Sequence, residues 1–223
     1  MDMPTSRPYL SAVIVLGTLW GLSEAAVGMG LRSCAAAVSG SLMTGVALFF
    51  LAAGWTASKR VLGLAVMVLV ATLFKMSDAF LLSLPLKHGA IGNPIFAFVM
   101  EAVAFVILVS IIRERIFQKP SGQALLGGLS AIVAANLFPL VKYATGVAAC
   151  VAPGTGYPLS LYYVHFAVLA SMATLPLGVW AGSRITSLEA RLAEARAHRR
   201  LGLILAPAAL IIGLAILVAL RLA

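Results

Sequence analysis

Seven runs of roughly 20 mostly apolar residues, each closed off by charged or turn residues, constrain this 223-residue chain more than any motif in it. They are Tyr9–Leu31, Ala35–Ala53, Val61–Ser83, Pro94–Ile112, Ala124–Gly146, Pro158–Trp180 and Leu201–Leu222. A helix of that length matches a hydrocarbon core about 30 Å thick, at about 1.5 Å per residue. Inside such a core every backbone N–H and C=O must find a partner, and a helix satisfies its own. The expected fold is therefore all-α, a polytopic transmembrane helical bundle. Residues 1–184 form a six-span core, 185–200 a basic cytoplasmic helix or linker, and 201–223 an extra span. The second run is the most diluted, by Ser39, Gly40, Ser41, Thr44 and Gly45.

Composition agrees. The chain is 62% hydrophobic and 10% charged, with a mean hydropathy of +1.06. Soluble domains carry about a quarter charged residues. A soluble enzyme, a disordered chain and a disulfide-stapled secreted domain are excluded on that ground. The first run is too long for a signal peptide's apolar region and carries Glu24, so it is expected to stay as a span. Gly154-x-Gly156 follows no strand and reads as a turn, not as a nucleotide-binding loop.

The net charge of +9 could suggest nucleic acid, but its distribution gives a topology signal instead. Across alternating sides, eleven cations (Arg7, Lys59, Arg60, Arg113, Arg115, Lys119, Arg184, Arg191, Arg196, Arg199 and Arg200) fall on one side. Three (Arg32, Lys87 and Arg221) fall on the other. Basic loops stay in the cytoplasm. The expectation is a multi-pass protein of a prokaryotic inner membrane, N-terminus inside and C-terminus outside, with the lipid bilayer and no nucleic acid as partner. In the longest inner loop, Thr186-Ser187-Leu188-Glu189 has the form of a capping box opening a surface helix.

Six titratable residues lie inside the runs: Glu24, Lys75, Asp78, Glu101, Lys142 and His165. A charge at mid-bilayer costs roughly 2.5–3.5 kcal/mol on insertion scales, so each must face protein or water. Counting rise from the inner edge puts Glu24 at about 22 Å, Lys75 and Asp78 at about 21 and 25 Å, and Lys142 at about 27 Å. Glu101 and His165 lie about 10 Å below the outer edge. All six fall in the outer half, a pattern that fits a polar cavity open to the outside. Asn136, Ser23, Ser77 and Tyr143 add polar groups at similar depth.

Structural alternatives stand beside the functional ones. Lys75 and Asp78 are three apart and can neutralise each other. Glu24 can pair with Lys75 or Lys142. Glu101 has the least obvious local partner and is the first choice as a ligand or proton site. His165, among Tyr162, Tyr163 and Phe166, suits packing as well as binding. A metal site built from Glu24, Asp78, Glu101 and His165 lacks any ligand-spaced motif, so no metal and no cofactor are expected. Gly17, Gly21, Glu24 and Gly28 share one helix face, where small residues let a neighbouring helix approach closely. The outer loops Leu86–Asn93 and Ala148–Tyr157 are lids or plain connectors. Cys34 and Cys150 both fall near the outer surface, as a disulfide or as two thiols.

Two stretches carry a resemblance: Leu19-Trp20-Gly21-Leu22-Ser23-Glu24 in the first span, and Lys87-His88-Gly89-Ala90-Ile91-Gly92-Asn93-Pro94-Ile95-Phe96 running into Glu101-Ala102. From Tyr9 to Arg184 the chain resembles the substrate-binding membrane subunit (S component) of energy-coupling factor transporters. The resemblance implies capture of a small nutrient (a vitamin, cofactor precursor or metal-related compound) by outer-half residues. It implies no chemistry by this chain, and energy from a coupling subunit and ATPases. It also implies that small residues of span 1, here Gly17 and Gly21, meet that coupling subunit. The seventh run is a departure from the family's six. Two competing readings are an ion- or proton-coupled transporter and an intramembrane metal-dependent enzyme.

Overall fold

A computed structural model describes residues 8–30, 36–146, 149–152, 154–194 and 198–222. The described residues are 87% helical with no strand, an all-α bundle of long apolar helices. The long helices are α1 (Pro8–Gly30), α2 (Ala36–Ser58), α3 (Val61–Leu81), α4 (Gly89–Ile111), α6 (Pro120–Leu137), α9 (Val164–Glu194) and α10 (His198–Leu222). Short helices α5 (Glu114–Phe117), α7 (Val141–Thr145) and α8 (Leu159–Tyr162) fill the connections. Six helical segments are long and apolar enough to cross a membrane, and α1 adds a shorter apolar stretch, Leu10–Ala26. The chain is a multi-pass membrane protein.

Helix α2 packs along α9, α9 on α6, and α1 on α3 and α10. The core between them holds Trp20, Leu48, Leu51, Met67, Phe105 and Leu175, all fully buried. Trp20 is a packing residue: its ring lies 4.9 Å from Phe98 and 6.4 Å from Phe50. Lipid tails are as apolar as leucine, so close approach at small residues contributes much of the association. Gly17 and Gly21 serve this purpose within the chain, against α3. A methyl group on Gly17 would meet the Met67 carbonyl oxygen at 2.8 Å, and one on Gly21 the Phe74 Cβ at 2.5 Å. The packing of Gly28 lies outside the described side chains.

A substitution pair measures that seam. Gly17→Ala forces a methyl against backbone that cannot swing away, and should cost about 1–3 kcal/mol. Gly40→Ala meets nothing within 4 Å. It should be neutral or stabilise by up to about 1 kcal/mol through helix propensity. Thermal unfolding of both variants in one detergent checks the contrast.

Several boundaries differ from the expectation, each for a local reason. Helix α2 runs on through Gly54-Trp55-Thr56-Ala57-Ser58, which contains no proline to stop it, and ends at Lys59, whose φ is +51°. Helix α4 starts at Gly89, not Pro94, because His88 caps it: the Ala90 N–H donates to His88 Nδ1 at 3.2 Å. The fifth span breaks into a 3₁₀ turn at Phe138–Leu140, where Pro139 sits, before α7 ends at a left-handed Gly146. The capping box at Thr186 is not formed. Helix α9 runs without a break from Val164 to Glu194, and the Thr186 hydroxyl donates back to the Gly182 carbonyl at 3.0 Å. A threonine hydroxyl can make that bond mid-helix as readily as it can cap. The boundary drawn at residue 184 therefore falls inside α9.

Candidate functional site

One end of the bundle carries Lys59, Arg60, Arg113, Arg115 and Lys119 in the α2–α3 and α4–α6 connections. The opposite end carries the 82–88 loop and residues 149–158. A cavity of about 540 Å³ runs from that second end into the bundle. His88, Gly89 and Cys150 line it at the loops, and Glu24, Lys75, Glu101 and Ala167 line it among the helices. Apolar side chains cover much of the wall, among them Met43, Ala97, Phe98, Met100, Phe138 and Leu159. That size and mixture suit a small organic molecule.

The polar part is built by packing. Lys75 and Asp78, one turn apart on α3, are 5% and 1% exposed. The Lys75 ammonium lies 3.3 Å from Asp78 Oδ2 and 4.0 Å from Glu24 Oε1 on α1. Arg221, near the end of α10, donates from Nε to Asp78 Oδ1, and its Nη2 reaches the Ala25 carbonyl at 3.5 Å. Four charged groups from α1, α3 and α10 thus form one buried cluster, two acids against two cations. Single pairs of this kind barely offset their desolvation, and removing one member strands the charge it leaves behind.

Glu101 stands across the cavity on α4, 5% exposed. The Thr44 hydroxyl of α2 lies beside its carboxyl, and Glu24 is close enough to act on it electrostatically. Other hydroxyls hold the wall together. Ser41 donates to the Tyr163 carbonyl at 3.0 Å, where the chain breaks between α8 and α9. Ser160 donates to the Ala135 carbonyl at 3.1 Å.

Of the residues expected to form a site, Glu24, Lys75 and Glu101 line the cavity, and Asp78 lies directly behind Lys75. Lys142, His165 and Asn136 do not line it; all three are exposed. Lys142 follows the 3₁₀ break and lays its ammonium 4.8 Å from the Tyr143 ring. His165 opens α9 instead of lying two turns inside it, because residues 158–163 form a separate turn; its ring lies tilted against that of Phe166, 4.2 Å between centroids. Asn136 donates along its own helix to the Ile132 carbonyl at 2.8 Å.

Sequence reasoning missed Arg221 as a site residue and counted it as a loop cation. Its partner lies 143 positions away, and the only local signal is one arginine at the end of an apolar run. It also left Thr44, His88 and Asn93 outside the site, although all three line the cavity. Among the described residues no group of three or more His, Cys, Asp and Glu side chains is placed to hold a metal ion. Cys150 lines the cavity, but Cys34, and with it their pairing, lies outside the described residues. In comparisons with known proteins, the chain matches no family model, no curated protein and no solved structure.

Proposed function

We propose that this chain is a substrate-capture subunit for uptake of a small nutrient, of the kind formed by the S components of energy-coupling factor transporters. The observation that carries the reading is the cavity. It is deep, small-molecule sized and open at one end of a membrane bundle, with buried charge on an otherwise apolar wall. Basic residues crowd the other end, so the positive-inside tendency turns the cavity outward from the cytoplasm of a prokaryotic cell. The described residues contain no phosphate-binding loop of the ATPase kind, and a partner module with ATPases is the energy source in this reading.

Reconstitution separates this from its rival. In proteoliposomes holding the chain alone, a co-purifying small molecule should bind but not accumulate against a gradient. A proton gradient should change nothing. Accumulation driven by a pH gradient with no partner present would replace capture by ion-coupled transport.

A further inference from the structure

We propose that the molecule held in the cavity is a monocation with N–H donors, such as a protonated amine, an amidinium or a protonated nitrogen heterocycle, carried on an apolar or aromatic body. The inference rests on reading the cavity as a small-molecule site and adds the ligand's charge and polarity.

Charge is the first ground. Arg221 and Lys75 are matched within the buried cluster by Asp78 and Glu24. Glu101 is left over. Among the described residues no lysine, arginine or histidine forms an ion pair with it, and Glu24, of the same sign, acts on it electrostatically. A carboxylate buried in apolar surroundings is costly without a countercharge. A ligand cation supplies one.

The second ground is independent of charge: the same wall holds acceptors that the chain leaves without a donor. Asn93 Oδ1 is buried with no hydrogen-bond partner. Pro94 has no N–H to give the Ala90 carbonyl four residues before it, so that carbonyl loses its usual helical donor. Ala90, Asn93, Pro94 and Glu101 all line the cavity. Asn93 Oδ1 and the Ala90 carbonyl are thus acceptors short of a donor, and a ligand carrying N–H groups complements them.

The apolar remainder of the wall, with Met43, Phe98, Met100 and Phe138, fits an unsubstituted hydrocarbon or ring better than a polyol. Among the described lining residues an anionic ligand would face two carboxyl groups, Glu24 and Glu101, and the Lys75 ammonium is already engaged with Asp78 and Glu24.

The test uses three probes of one shape on the full chain in nanodiscs: 2-phenylethylammonium, neutral 2-phenylethanol and anionic 3-phenylpropanoate. Titration calorimetry at millimolar concentration reads their affinities. The cation should bind at least about tenfold tighter than either of the others, the scale of one charge-assisted hydrogen bond. Glu101→Gln should erase that preference, and Glu114→Gln, at the basic end of the bundle, should keep it. Equal affinities, a preference for the neutral or anionic probe, or a preference that survives Glu101→Gln each overturn the charge assignment but leave a small-molecule site. Failure of all three probes to bind overturns both the assignment and the reading of the cavity.

Discussion

Replacing Asp78 by alanine should lower the unfolding free energy by about 3–5 kcal/mol, among the largest losses available to a single substitution in this bundle. Asp78 is 1% exposed and bonded on one oxygen to Lys75 and on the other to Arg221. Without it, Arg221 keeps only a 3.5 Å approach to the Ala25 carbonyl, and its Nη1 is already buried with no partner. An unmatched buried guanidinium would have to pull α10 away from α1 and α3 to reach water or headgroups. The cost therefore belongs to the stranded partner more than to the lost bond. Removing both ends separates the two. Asp78→Leu combined with Arg221→Met takes away charge in equal measure and should recover about half or more of the loss. Chemical unfolding of Asp78→Leu, Arg221→Met and the double variant, in one detergent, gives the coupling. Additive losses would show that Arg221 and Asp78 do not act as a unit.

The same pair shows how far the sequence could be read. The all-α class followed from run length alone, because bilayer thickness sets how many apolar residues a span needs. Glu24, Lys75, Asp78 and Glu101 were legible as buried groups because a charge inside an apolar run has nowhere else to go. Depth along a helix places a residue, however, only where the helix is continuous. Lys142 and His165 were placed by counting through Pro139 and through the Tyr163 break, and both turn out at the surface. Partner choice was beyond reach for a different reason. Arg221 and Asp78 meet only because α10 folds back against α1 and α3, a tertiary fact with no local periodicity to announce it. Thr186-Ser187-Leu188-Glu189 makes the complementary point. A capping box marks a helix start only if the preceding residues leave the helix, and Ala181-Gly182-Ser183 do not.

Filling the cavity should abolish binding altogether, a larger functional effect than any single polar change. Ala97 lines the cavity from α4, between the apolar wall at Phe98 and the carboxyl of Glu101 one turn on. An indole at this position would take up space the ligand needs while burying its own apolar surface. Ala97→Trp should therefore fold at least as well as the parent chain. Val99, two residues further, is 39% exposed and is not part of the cavity wall. Val99→Trp adds the same bulk to the same helix without entering the cavity, and serves as the control. The decisive measurement is native mass spectrometry of the chain purified in a mild detergent. The wild-type chain and Val99→Trp should each carry one small molecule per chain, and Ala97→Trp, equally stable to heat, should carry none. A wild-type chain with no bound small molecule, or Ala97→Trp retaining one at full occupancy, would contradict the account.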